Sequence, residues 1–294
     1  MKKQHIRDIF LFLTPAVVIV ALFLYFPVIL NFLNSLFQWT AFSAERKFVG
    51  LGNYTKLFSD SVFYIAIKNN IIFMIMSIVF QIGLSLVMAA ILEEKFMRKF
   101  QAFFRTVYFI PSLLMVTVTG IMFQIIYNPL IGIVNPLVEL LGGQPTSLDL
   151  LGNQNTAIWA VAIVSQWQYI GYTLVLFLVA IQSIPEDLYE AAELDGASSI
   201  KKFFFITIPQ IKEMILVNMI VTITGSFKVF DEVYVMTGGG PGRATETLAT
   251  MLYRAGFRND EMGYASAIAF FVFIVTSIIA IFQIRSYDWG GKGN

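Results

Sequence analysis

The sequence predicts an all-α membrane protein with six transmembrane helices. The chain has 294 residues, of which 57% are hydrophobic and only 13% are charged. A soluble domain usually carries about 25% charged residues, so this chain has too little polar surface to coat a water-soluble globule. Several apolar runs also reach the roughly 20 residues that a helix needs to cross the hydrocarbon of a bilayer. A large soluble core does not account for runs of that length.

Six apolar segments define the predicted spans. In chain order they cover about residues 8–30, 69–92, 106–127, 157–182, 214–236 and 264–284. The first follows a short basic segment, as a signal peptide would, but its apolar run continues to about Leu30 and no small-residue cleavage site follows a short core. We therefore expect a retained span. The six spans are expected to form one domain, residues 1–294, with its core at 69–284.

The distribution of basic residues orients the chain. Cytoplasmic segments of membrane proteins are enriched in Lys and Arg, and an even number of spans puts both termini on one side. With the termini inside, the cytoplasmic segments hold twelve of the 20 Lys and Arg residues, whereas the longer external segments hold seven. The sequence therefore predicts an N-in, C-in topology, with the loop 183–213 on the cytoplasmic side.

Composition argues against several functional classes. The chain has no cysteine and its single histidine is His5, so neither an intramembrane zinc site nor a Ser–His pair can be built. An intramembrane hydrolase is therefore disfavoured. The net charge of +1 gives no sign of a nucleic-acid partner. An ion-coupled secondary transporter stays as a less favoured alternative, because such carriers often have two repeated halves and broken helices, and the sequence shows neither.

The loop between spans four and five has the pattern of two short helices. Ser183 and Glu186 match the spacing of a capping box, which predicts the start of the first helix. Gly196 breaks that helix, because glycine adopts backbone angles that other residues avoid. Ser198 or Ser199 can cap the second helix.

The first loop helix has a small, smooth surface. Ala191 and Ala192 are flanked by the charges of Glu190 and Asp195. An ordinary connector lying in the lipid interface would explain the aromatic face of the second helix. The charged first helix instead favours a cytosolic protein partner.

This loop resembles the EAA loop of permease subunits in ATP-binding-cassette importers. The resemblance is carried by Glu190-Ala191-Ala192, Gly196 and the ending Ile206-Thr207-Ile208-Pro209. In that family the short helix is a coupling helix that docks into a groove on an ATPase subunit. The resemblance implies ATPase contacts at Glu190, Ala191, Ala192, Asp195, Gly196 and Ala197.

The stretch VYVMTGGGPG, residues 233–242, extends the resemblance to the first of the two permeases in carbohydrate importers of the maltose and glycerol-phosphate type. Its Gly-rich turn lacks the Lys-Ser/Thr of a nucleotide-binding loop. The resemblance implies a type I importer permease fold in a bacterial or archaeal cell membrane. It also implies transport by alternating access, with no cofactor of the chain's own and with ATP and Mg on partner subunits. The implied partners are a second homologous permease, two cytosolic ATPase subunits, an extracellular or periplasmic solute-binding protein and a sugar.

Polar side chains concentrate in spans four and five, where they either form helix–helix hydrogen bonds or face a solute. Hydroxyl, amide and aromatic groups suit a sugar site. The resemblance places the family's sugar-contacting positions on Ser165, Gln168, Tyr169, Tyr172, Thr222, Ser226 and Val229. Lys228 has the spacing to pair with Asp231 or Glu232. A phosphorylated polyol such as glycerol phosphate stays as an alternative solute.

Overall fold

The computed structural model describes residues 12–42, 45–142 and 148–291. Its Cα positions group into two compact units. The first comprises Met1–Phe63 and Met251–Ile274, and the second comprises Tyr64–Thr250 and Val275–Asn294. The expectation of one domain over the whole chain stays a prediction.

Five helices in the described residues are long and apolar enough to cross a membrane. They are span one Phe12–Ser35, span two Ser61–Glu93, span four Ala157–Gln182, span five Lys212–Met236 and span six Met262–Tyr287. They confirm five of the six predicted segments, and the helix of span six continues to Gly291. Residues 8–11 of the first predicted span lie outside the described residues.

The third predicted span is a bent pair of helices rather than one helix over 106–127. Arg98–Leu113 and Val116–Ile126 meet at 97°. Pro111 lies in the last turn before the bend, where its missing N–H and its ring oppose continuation of an α-helix. Leu114 is extended there, so the helix ends and starts again. The expectation that no helix is broken is therefore wrong.

The shorter elements connect these spans. Two short strands, Phe37–Gln38 and Lys47–Phe48, pair antiparallel. The short helices are Gly52–Ser59, Val134–Leu140, Glu186–Leu194, Ser199–Lys202, Ile208–Gln210 and Leu248–Tyr253, with π-helical segments at Phe203–Thr207 and Arg254–Arg258. We call Glu186–Leu194 the loop helix.

The core of the second unit lies where spans two and four pack together. Leu86 and Ala89 of span two are buried in one cluster with Phe177 of span four. The helices are also joined by hydrogen bonds, since Gln81 Nε2 donates to Gln166 Oε1 over 2.9 Å. Burying both amides in this pairing satisfies polar groups that hydrocarbon would otherwise leave without partners.

Gly171 lets span four approach the first helix of the bent pair. A Cβ atom at this position would overlap the backbone carbonyl of Tyr108. Small residues at helix contacts allow such close backbone packing in membranes. Span four is therefore held against both span two and the bent pair, which fixes the direction of its polar side chains.

The loop helix begins later than the sequence predicts. Its first residue is Glu186, Pro185 precedes it, and no side chain caps it. Ser183 Oγ instead donates to the carbonyl of Ala180 over 2.7 Å, at the end of span four, so the predicted capping box is wrong. The second helix is capped as expected, because Ser198 Oγ accepts from the backbone N–H of Lys201.

Candidate functional site

A cavity of about 530 Å³ lies in the second unit, among the polar residues of spans two, four and five. Of the seven side chains that the sequence assigns to a solute site, six line it. These are Ser165, Tyr169, Tyr172, Thr222, Ser226 and Val229. Residues more than 50 positions apart in the chain are therefore brought together around one space.

Gln168 is the exception. Its side chain is 1% exposed and does not line the cavity. Nε2 donates to the backbone carbonyl of Leu114 over 2.9 Å. That carbonyl lies at the break in the bent pair, outside the helical hydrogen-bond ladder, so it needs a donor from elsewhere. Gln168 therefore packs at the break and does not line the cavity, unlike the other six predicted solute contacts.

The cavity is also lined by polar residues outside the predicted solute contacts. They are Ser77 and Gln81 of span two, Ser112 of the bent pair, Thr173 of span four and Asn218 of span five. Polarity within an apolar span was the available signal for these side chains. Polarity alone does not say whether such a side chain faces a cavity or a neighbouring helix.

The charged residues at the end of span five face the same cavity. Lys228, Asp231 and Glu232 all line it. Glu232 is buried and accepts a hydrogen bond from Ser165 Oγ over 3.3 Å. Within the part of the chain that the structure describes, no ion pair joins Lys228 to either acidic residue, so the predicted pairing is not found.

Span five is broken where it reaches the cavity. Its helix stops at Ser226 and resumes at Asp231. Asn70 Nδ2 donates to the carbonyl of Ser226 over 2.7 Å, and Thr247 Oγ1 donates to the carbonyl of Val229 over 2.8 Å. These bonds satisfy the carbonyls that the break releases. Irregular backbone at this depth is tolerated where protein or a cavity surrounds it.

The loop helix carries the second group of candidate residues. Glu190, Ala191, Asp195 and Gly196 are exposed, and Ala192 and Ala197 are partly exposed. All six are thus accessible to another protein.

Gly196 ends the loop helix in the left-handed region, with φ of 73°. Its N–H donates to the carbonyl of Glu193 over 3.0 Å, and the N–H of Ala197 donates to the carbonyl of Ala192 over 2.8 Å. This pair of bonds is the Schellman ending, which satisfies carbonyls in the last turn of a helix. Leu194 just before it is 90% exposed, which the motif did not single out.

Charged groups of the loop helix influence one another. The pKa of the Glu193 carboxyl lies below its ordinary value because Lys95 and then Lys202 donate hydrogen bonds to it. The pKa of Lys95 lies above its ordinary value, chiefly through the hydrogen bond to Glu193. Burial raises the pKa of Tyr189, whose hydroxyl is 2.9 Å from Thr207 Oγ1.

Related sequences extend over nearly the whole chain. The probable ABC transporter permease protein YurN of Bacillus subtilis (strain 168) is 48% identical over 281 residues, which cover 96% of each chain. The arabinooligosaccharides transport system permease protein AraP of the same organism is 32% identical over 303 residues, covering 99% of this chain and 95% of the relative.

Solved structures match the fold. A bacterial ABC transporter involved in the import of the acidic polysaccharide alginate gives a TM-score of 0.83 at 23% identity, with 99% of each chain covered. A bacterial alginate ABC transporter in complex with an alginate pentasaccharide-bound periplasmic protein gives 0.81 at 22%, covering 96% of this chain and 95% of the other. These likenesses confirm the type I importer permease fold.

A family match extends from the second span to the sixth. Residues 81–287 match the family described as the binding-protein-dependent transport system inner membrane component. This segment contains most of the cavity and the entire loop helix. The chain belongs to that family and is a multi-pass membrane permease subunit.

Proposed function

We propose that this permease forms half of the pathway by which an ABC importer moves a sugar or oligosaccharide across the membrane. The observation that carries the proposal is the cavity of about 530 Å³, because hydroxyl, amide and aromatic side chains meet there. Hydroxyl and amide groups exchange hydrogen bonds with sugar hydroxyls, and aromatic rings cover the apolar faces of pyranoses. The names of AraP and of the alginate transporters also point to carbohydrates.

Tyr172 is the residue best placed to receive a sugar ring. It lines the cavity and is 48% exposed, so much of its ring is available for contact. Tyr169 lies nearly one turn away on the same helix and is partly buried. Ser165 and Thr222 supply hydroxyl groups from two different spans. The proposed solute contacts are therefore Ser165, Tyr169, Tyr172, Thr222, Ser226 and Val229.

The transport cycle requires several partners. Each chain has one loop helix, so an importer driven by two ATPase subunits needs a second, homologous permease to dock the other. ATP and Mg would bind to those ATPase subunits, and this chain would need no cofactor of its own. A solute-binding protein would deliver the sugar from outside, as the periplasmic protein named in the alginate transporter complex suggests. Closure of the ATPases would push the loop helices and switch the cavity between outward and inward access.

A phosphorylated polyol is the second candidate solute. Lys228 favours it, because the residue is exposed, lines the cavity and carries a positive charge. Asp231 and Glu232 line the same space and oppose an anion. A neutral saccharide is compatible with all three groups, so it is the preferred solute.

Uptake by the reconstituted importer tests the site. Tyr172→Ala removes the exposed ring, and we expect it to weaken solute affinity by about 1–3 kcal/mol, roughly 5- to 150-fold. Tyr25→Ala is a matched control, because Tyr25 is an exposed tyrosine of span one and does not line the cavity. Radiolabelled oligosaccharide and glycerol phosphate are compared in parallel proteoliposomes containing both permeases, the ATPases and the binding protein. Equal uptake of the oligosaccharide by both variants would show that the solute site lies elsewhere. Uptake of glycerol phosphate alone would show that the solute is a phosphorylated polyol and not a saccharide.

A further inference from the structure

The loop after span two contacts both ends of the loop helix. We call residues 94–98, which end at the first residue of the bent pair, the connecting loop. Lys95 Nζ is 3.0 Å from Glu193 Oε2 in the last turn of the loop helix. Arg98 Nη1 is 3.5 Å from Glu186 Oε1 in its first turn. Residues seven positions apart lie on one face of a helix, so the connecting loop lies along a single face.

Glu193 joins three segments rather than two. Its Oε1 atom is 3.0 Å from Nζ of Lys202, in the helix that follows Gly196. Lys202 is also the least exposed of the basic partners, with 13% of its side chain accessible. One carboxylate thus uses both oxygens to tie the connecting loop and the second loop helix to the first.

The connecting loop is itself fixed to the ends of the spans. Arg98 Nε is 3.8 Å from Glu93 Oε2, the last residue of span two. Glu93 Oε1 accepts hydrogen bonds from Gln101 over 2.6 Å and from Gln182 at the end of span four over 2.7 Å. A continuous set of polar contacts therefore connects the loop helix to span two.

We propose that Glu193 is a positioning residue that makes the loop helix and the end of span two move as one body. The force from an ATPase would then reach span two through Lys95, in addition to the covalent route through spans four and five. Glu193 lies outside the residues that carry the family resemblance. The inference rests on the permease assignment and does not depend on which solute is carried.

The network, rather than any one contact, gives the connection its strength. Isolated exposed ion pairs contribute little to stability. Here two lysines share one carboxylate, and Arg98 adds a second attachment two turns away. The lowered pKa of Glu193 and the raised pKa of Lys95 show that each favours its charged form in this arrangement.

Spin labels test the rigid connection without a transported solute. The chain contains no cysteine, so Phe96→Cys and Asp187→Cys place one label on each side of the connection. The doubly labelled permease is assembled with its partner permease and ATPase subunits. Dipolar broadening is compared in the nucleotide-free complex and after trapping with ATP and vanadate. We expect the same broadening in both states.

Glu193→Gln keeps the side-chain shape and removes the charge. In this variant we expect the trapped complex to lose the dipolar broadening, because the loop helix moves away from the connecting loop. Lys99→Gln is the matched control, since Lys99 lies just after the connecting loop and is absent from these ion pairs. It should behave as the unsubstituted chain. Lys95→Gln combined with Glu193→Gln should be no worse than Glu193→Gln alone. Unchanged broadening in trapped Glu193→Gln, or a change in the unsubstituted chain, would overturn the proposal.

Discussion

Replacing Gly196 by alanine tests whether the shape of the loop helix ending transmits force. The residue has φ of 73°, and a Cβ atom built there meets nothing within 4 Å. Alanine therefore causes no steric overlap with other parts of the chain. Its whole cost is the left-handed backbone conformation, about 1–2 kcal/mol for a residue with a Cβ atom.

This cost acts on a defined set of hydrogen bonds. The ending holds the N–H of Ala197 on the carbonyl of Ala192 over 2.8 Å. A penalty of about 1–2 kcal/mol raises the population of loop conformations without this ending by roughly 5- to 30-fold. Those conformations redirect the chain after the loop helix and displace the surface that would dock to the ATPase. We expect solute-stimulated ATP hydrolysis to fall while basal hydrolysis persists.

Gly142→Ala supplies the matched control. Gly142 has φ of 85°, has open space around its Cβ position and also follows a short helix. The conformational cost is therefore comparable, but the position lies outside the loop 183–213. Stimulated hydrolysis is measured in complexes of equal subunit composition. Equal losses in both variants would assign the effect to general destabilisation, and full stimulation in Gly196→Ala would refute the reasoning from the helix ending.

Three further outcomes are expected. Asn70→Ala leaves the buried carbonyl of Ser226 and the buried N–H of Leu248 unpaired, which costs about 1–3 kcal/mol for each group and should lower the melting temperature of the purified permease. The pKa of Glu193 is lowered and that of Lys95 is raised. Their ion pair is therefore fully formed when the pH is above the ordinary pKa of Glu and below the ordinary pKa of Lys. It weakens only in acid or strong alkali, so dipolar broadening should be constant between about pH 5 and 9. A reporter active only in the cytoplasm should work when fused after Phe96 and fail after Gly242, and the reverse pattern would invert the topology.

The positions of the spans could be predicted because they depend on local composition. The fourth predicted span, 157–182, coincides with the helix Ala157–Gln182. Length and hydropathy identify such a segment without knowledge of its neighbours. The helix break at Gly196 could be predicted equally well, because a residue without a Cβ atom suits a left-handed helix ending.

The breaks inside spans could not be predicted from the sequence in the same way. Pro111 was visible in the sequence, but membrane helices often tolerate proline when neighbours satisfy the released backbone groups. The 97° bend depends on where span four packs and on which side chain donates a hydrogen bond to the carbonyl released at the bend. Both depend on tertiary packing, which the local sequence of residues 106–127 does not reveal.

The difference between Gln168 and the other predicted solute contacts follows from the same break. Gln168 and Tyr172 are both polar residues of span four, and the family resemblance places both among the solute contacts. In the structure the amide of Gln168 reaches the carbonyl of Leu114 at the bend, while Tyr172 stays free to line the cavity. Asn70 performs the corresponding task at the break in span five, where it bonds the carbonyl of Ser226. The bend of the third span and the break in span five thus each take up a buried amide donor, so the position of a break must be known before polar residues can be assigned to the solute.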